Sequence, residues 1–370
     1  MKEQRVYLTD LVRTPLGAPG GSLKRFMSSD LAARAIRKLL ERQQLDPLAV
    51  DQVVFGQSLP STMPNNIGHY AWLKAELPVE VPGYTVQAIA SSGLQALRNA
   101  YYLIATGNDS IVMAGGADSY SAAPFVMRDV RLHFNPQDRF VIDSLDEAEC
   151  CTQPEPMSRL EQYEKAHGKE TAEEEAAFAA ESLRKAGNLR ALEGDAVVPM
   201  SYVDRKKGEI VIDKDEWPGK AREGLLSPKA DGAVVTLLAG EDALAAHGLK
   251  PVAEILGFAV SGCDPEKQEE AGASAAEKLL KNKGLKTNEI ALFEIKENSG
   301  ADVMETAKSL NVPMEKVNPF GGAAAFGGCD GAEGLLMLNR LCHGLKPAEL
   351  GVIVSYSAGG MGMAALIRKC

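Results

Sequence analysis

The sequence predicts an α/β fold built from two related halves with an inserted lobe. Three observations carry this. Short strand-like runs alternate with helical stretches, the same order of units recurs at both ends of the chain, and the composition changes between them.

Val53–Phe55 and Ile111–Ala114 read as strands, as do Ala291–Ile295 and Val352–Tyr356. Asp30–Arg42 and Leu94–Thr106 read as amphipathic or largely apolar helices. The alternation predicts mostly parallel sheets. Near the start, LAARAIRKLLERQQLDPLAVDQVVFG is a helix, a loop and a strand, and SAAEKLLKNKGLKTNEIALFEI repeats that layout late in the chain. SSGLQALRNAYYLIATGNDSIVMAGGADS follows the first, and GCDGAEGLLMLNRLCHGLKPAELGVIVSYSAGGMG follows the second. Each is a small-residue turn, a helix, a strand and a Gly-Gly exit.

Between the halves, Asp138–Glu223 is rich in Glu, Lys and Ala. Within it, SRLEQYEKAHGKETAEEEAAFAAESLRKAG reads as one or two helices whose charges form a solvated surface. Leu225–Gly248 returns to a compact apolar pattern that completes the first half. The expected units are therefore 1–118 with 225–248, an inserted lobe over 119–224, and a second half over 249–370.

The 370 residues carry 40 Lys and Arg against 50 Asp and Glu, a net charge of −10. That balance disfavours a nucleic-acid or anionic-membrane surface, since both select clustered cations. No apolar run reaches the roughly 18 residues of a membrane helix. The N-terminus enters a strand at once, unlike a signal peptide. Cys150, Cys151, Cys263, Cys329, Cys342 and Cys370 form no Cys-x-x-Cys pair, and no His stands at metal-ligand spacing from them. Free thiols in the cytoplasm, with no metal, are expected.

Three loops follow strands, where open α/β sheets bind ligands. Ala90, Ser91, Ser92 and Gly93 lead a strand into a helix whose first N–H groups are unpaired, with Ser91 and Ser92 as expected caps. NPFGGAAAFGGCDGAEG is crowded with Gly and Ala, which lets backbone approach a ligand. The last strand leaves through Ser355–Gly362. Equally, small residues here serve close packing between the halves.

On these residues the chain resembles the thiolase family. LPVEVPGYTVQAIASSGLQAL resembles the segment around that family's nucleophile, and AGGADSYSAAPF its Gly-Gly-Met-Glu stretch. VRTPLGAPGGSLKRF resembles the opening strand and loop, FEIKENSG falls on the Asn-Glu-Ala-Phe motif, VNPFGGAAAFGG on the Gly-His-Pro loop, and SAGGMGMA on the C-terminal Gly-rich loop. The resemblance implies the thiolase fold, a dimer pairing sheets across a two-fold axis, and chemistry on acyl-CoA. That chemistry uses an acylated Cys, a second Cys that moves protons, and a His and an Asn that stabilise the thioester oxyanion.

Every one of those four positions departs. The nucleophile position is Ala90, the His position is Gly328 followed by Cys329, the Asn position is Lys296 with Glu297 retained, and the second Cys position is Tyr356. SPKADGAVV also runs straight through where the family has a long Gly/Ala/Ser-rich loop that helps hold CoA. The expectation is a thiolase-fold chain without thiolysis and without a cofactor, with CoA thioester binding left open, acting as a subunit in a homo- or hetero-oligomer with a thiolase-fold or other acyl-CoA-metabolising enzyme. The alternative is an acyltransferase or retro-aldol lyase rebuilt on Tyr356, Cys329 or Lys296, with Lys296 otherwise paired to Glu294 or Glu297. The resemblance implies that the main-chain N–H groups of Ala90 and Ala358 can still form the family's second oxyanion hole.

Overall fold

The computed structural model describes residues 4–59, 65–127, 141–147, 172–216 and 227–370. The first half comprises strand β1 (Val6–Arg13), helix α1 (Ser28–Gln43), β2 (Gln52–Gly56), α2 (Ile67–Lys74), β3 (Gly83–Val86), α3 (Ser92–Ala105) and β4 (Ile111–Asp118). The following segment holds β5 (Phe125–Met127), β6 (Val141–Asp143), α4 (Ser144–Glu147), α5 (Ala172–Ala186), α6 (Leu189–Glu193), β7 (Met200–Asp204) and β8 (Gly208–Ile212). Then come β9 (Gly232–Gly240), α7 (Glu241–His247), β10 (Ala253–Gly262), α8 (Gln268–Lys283), β11 (Leu292–Ile295), α9 (Gly300–Ser309), α10 (Ala323–Phe326), α11 (Asp330–Gly344), β12 (Leu350–Ser357) and β13 (Met361–Lys369).

The two halves join edge to edge in one nine-stranded sheet, ordered β11-β12-β13-β10-β1-β9-β4-β2-β3. The seam is the antiparallel pair of β1 and β10. The expectation of mostly parallel pairing is corrected. Only β2 with β3, β2 with β4, and β11 with β12 run parallel. The centre is antiparallel, and its connections explain part of this. Three residues join β12 to β13, far too few for a parallel crossover.

Period-two alternation sorts the side chains of β12. Ile353 faces the core around α3 and α11, with Leu94, Leu97, Leu335 and Leu338. Val352 and Val354 face the core beneath α8, with Leu279, Phe293 and Leu366. A third core packs α1 and α2 through Leu31, Ile36, Leu39 and Trp72. Helices α3 and α11 meet closely because glycine lets them. A Cβ on Gly93 would stand 2.7 Å from the Gly331 carbonyl oxygen, and one on Gly334 2.6 Å from Leu94 Cβ.

In the inserted segment, a helix spans Ala172–Ala186, while 158–171, Cys150 and Cys151 lie outside the described residues. The expected solvated charges need a correction, because several acids are buried as anchors. Glu175 accepts from Gly300 N (2.6 Å) and Ala301 N (2.7 Å), capping α9. Glu193 and Asp215 both grip the Arg13 guanidinium, with contacts of 2.6–2.8 Å. A buried cation held this way is charged because both its counterions are buried with it.

Candidate active site

The first site loop begins where β3 ends. Ile89 has φ +49°, a left-handed backbone that a β-branched side chain rarely adopts. The strained turn is locked by Ser92, whose hydroxyl accepts from Ala88 N (2.8 Å) and donates to Ile89 O (2.6 Å). It presents Ala90, 2% exposed, immediately before α3. The expected cap is corrected: Ser91 makes no side-chain cap bond. Its Oγ instead shares hydrogen bonds with Ser355 (3.1 Å) and Ser357 (3.2 Å) across the two halves.

The second loop is stitched to the segment before β9. Gly328 N donates to Pro228 O (2.7 Å), and Ala230 N donates to Gly328 O (2.9 Å). Gly327 adopts φ +84° and makes the turn. Helix α11 then starts at Asp330, whose carboxylate is the meeting point of the site. Lys229 pairs with its Oδ2, the Tyr120 hydroxyl donates to that oxygen at 2.7 Å, and Lys296 Nζ lies 3.9 Å from Oδ1. The expected pairing of Lys296 with Glu294 or Glu297 is therefore corrected. Glu294 belongs to Arg340 (2.8 Å), and Glu297 accepts from Ser182, Asn318 and the Ala324 N–H.

Tyr356 and Lys296 adjoin. The lysine donates to the Tyr356 carbonyl (3.2 Å) and lies 5.1 Å from its ring centroid. The Tyr356 hydroxyl nevertheless points away from Ser91. Alternation turns Ser355 and Ser357 towards α3, while the Tyr356 ring lies towards Gly272 of α8 and its hydroxyl donates to Asp302 (2.9 Å). Burial, then the Asp302 charge, pushes this phenol well above its ordinary range. Cys329 is fully buried, its thiol donating to Gly232 O (3.4 Å). Burial, then Asp118, pushes it far above the usual thiol range, so it stays protonated.

Lys296 and Gly328 share a cavity of about 10 Å³ with Lys229, Glu297, Asp330 and Glu333. That is room for one water. Ala90, Cys329, Tyr356 and Ala358 are not in its lining. A wider hollow of about 430 Å³ lies between α5 and residues 314–318, and Glu297 borders both. Among the described residues, no group of three or more His, Cys, Asp or Glu side chains is arranged to hold a metal.

Sequence reasoning missed Asp118, Tyr120, Lys229, Asp330 and Glu333. Asp118 accepts from Ser58 N, Leu59 N and Gly331 N, and burial pushes it up to about 7. Lys229, Asp330 and Glu333 do carry a signal in the sequence: charged residues among small ones, in SPKADG and GGCDGAEG.

The family model for the thiolase N-terminal domain matches residues 6–226, and that for the thiolase C-terminal domain matches 249–369. The chain belongs to the thiolase family. It is 31% identical over 390 residues to a probable acetyl-CoA acyltransferase of Staphylococcus aureus, covering 99% of each chain. To the Staphylococcus epidermidis protein of the same description it is 30% identical over 402 residues, again with 99% of each covered. Among solved structures, the Bacillus anthracis acetyl-CoA acetyltransferase superposes with a TM-score of 0.91 at 28% identity, over the whole of both chains. Human mitochondrial 3-ketoacyl-CoA thiolase does so at 0.88 and 27%, also over both whole chains. The thiolase fold expected from the sequence is thus the fold observed, and no helix among the described residues is long and apolar enough to cross a membrane.

Proposed function

We propose that this thiolase-family chain does not run the covalent thiolase cycle and serves as a non-catalytic cytoplasmic subunit. Its partner would be a second thiolase-fold chain or another acyl-CoA-metabolising enzyme, in a homo- or hetero-oligomer. The observation that carries this reading is Ala90. A strained turn at Ile89 presents a residue just before α3, and the residue presented has no nucleophilic atom. Cys329 is a buried, protonated thiol, and Tyr356 spends its hydroxyl on Asp302. The one-water cavity beside Gly328 and Lys296 also argues against an acyl group bound there.

A second reading has one observation in its favour. Lys229, Lys296, Tyr120 and Asp330 gather at the loops where the family does its chemistry, which is the polar content a rebuilt acyltransferase or lyase site needs. The relatives are described as acyltransferases, and their reaction is this chain's under that reading alone. The two readings part on a product assay. Purified protein is incubated with 3-oxoacyl- and 3-hydroxyacyl-CoA esters, with and without free CoA, and CoA species are followed by mass spectrometry. No new species is expected, and turnover would sink the first reading. A stable homodimer purified from the native host with nothing bound to it would sink the hetero-subunit.

A further inference from the structure

Lys229, Lys296 and Tyr120 come from three separate segments: the approach to β9, the end of β11 and the turn after β4. All three address one carboxylate. Tyr120 and Lys229 meet Oδ2 of Asp330, and Lys296 faces Oδ1. The donors are poorly exposed, with 18% and 9% side-chain exposure for Lys229 and Lys296, and Tyr120 is buried. Lys229 also lies 5.5 Å from the Tyr120 ring centroid, which fixes the ammonium and the phenol relative to each other.

Glu333 Oε2 is buried without a hydrogen-bond partner among the described residues, and Glu333 lines the one-water cavity beside Asp330. A carboxylate oxygen accepts, so this space suits a donating water, and what holds a carboxylate at the Asp330 position, among the described residues, is Lys229, Lys296 and Tyr120, against the neighbouring Glu333.

We propose that Lys229, Lys296 and Tyr120 form a carboxylate-binding cradle, filled in this chain by its own Asp330, and that the ligand class it takes once Asp330 is removed is a small carboxylate anion. The geometry favours a planar two-oxygen anion, with Oδ1 and Oδ2 met by different donors. A cavity the size of one water leaves no room for a tetrahedral phosphate in addition. Truncation sets the size of the anion. Asp330→Ala vacates a formate-sized volume and Asp330→Gly an acetate-sized one. This does not depend on whether the chain has turnover, because binding is read without any thioester.

The test is thermal unfolding of wild type and Asp330→Ala in sodium formate, against sodium chloride at equal ionic strength. Formate is expected to raise the Tm of Asp330→Ala saturably, by about 2–4 °C. The wild type should not respond, and adding Lys229→Met should abolish the response. A variant that folds only in formate counts the same way. If Asp330→Ala folds in neither salt, Asp330→Gly in acetate is read identically. No carboxylate response in either variant, an equal response in chloride or in wild type, or a response indifferent to Lys229→Met overturns the proposal.

Discussion

Ser91 Oγ lies 3.1 Å from Ser355 Oγ, joining the helix start of the first half to the last parallel strand of the second. Both side chains are buried, and Ser357 donates to the same Ser91 oxygen. Ser91→Ala is expected to leave two buried hydroxyls short of a partner and to destabilise the fold by about 1–2 kcal/mol. A urea titration reads this as a lowered midpoint at unchanged slope. An unmoved midpoint would mean that the hydroxyls re-pair without Ser91.

Tyr356→Phe removes a phenol that touches Asp302, not the Ala90 loop. Buried Asp302 loses one donor, at a cost of about 1 kcal/mol. Any activity found on an acyl-CoA ester should survive this change with kcat within about twofold, since the hydroxyl is bound to Asp302. A loss of two powers of ten in kcat, with the fold intact, would return Tyr356 to the site.

Cys329 should be inert in the folded chain. Its thiol is fully buried and held protonated by burial and the Asp118 charge, whereas Cys370 is exposed and Cys263 partly so. Iodoacetamide at pH 8, followed by peptide mass spectrometry, is expected to label Cys370 and Cys263 while Cys329 reacts only after denaturation. Native labelling of Cys329 at the rate of Cys370 would contradict the burial.

Asp118 gives a pH dependence of definite sign. Burial, the largest cause, lifts it to about 7 although three backbone N–H groups pull the other way. An unfolded Asp titrates near 3.9, so between about pH 4 and 7 the native state holds a proton that the unfolded state has lost. The stability from this group is present in full below about pH 4 and is lost as pH rises through about 7. Asp118→Asn should therefore flatten the fall in unfolding free energy between pH 5 and 7.5, by up to about 1.4 kcal/mol per pH unit. Parallel profiles for the two proteins would show that Asp118 is already ionised at pH 5.

How much of this was legible depends on the kind of signal. Val352–Tyr356 and Ile111–Ala114 are apolar β-rich runs, and they sit in β12 and β4 as their sequence implies. Strand direction was not legible, because pairing between β1 and β10 joins residues over two hundred positions apart and leaves no local pattern. The same holds for Asp330. Its partners Tyr120 and Lys229 are remote in sequence, and only the fold makes them one cluster. Tyr356 shows the converse. Period-two alternation places it opposite Ser355 and Ser357, a consequence readable from the strand alone once its direction to the core is known.

Under the proposed non-catalytic reading, Ala90→Cys asks whether a nucleophile is all that the chain lacks. The new thiol would stand at the start of the 14-residue helix α3, where the unpaired N–H groups and helix dipole lower a thiol pKa. Incubated with acetyl-CoA, the variant is expected to release at most about one equivalent of CoA per chain, seen as a single acyl adduct in the intact mass. Sustained release should not occur, because Gly328 supplies no imidazole and Lys296 is turned towards Asp330 and the Tyr356 carbonyl. At Gly328 a Cβ meets nothing nearer than Ala323 Cβ at 3.6 Å, but the one-water cavity beside it leaves no room for an imidazole without moving Lys229 or Lys296. Adding Gly328→His is therefore not expected to restore turnover while the Lys229–Asp330 pair lines that cavity. Continuous turnover by Ala90→Cys alone would show that one residue separates this chain from its catalytic relatives, and the reading built on four lost positions would fail.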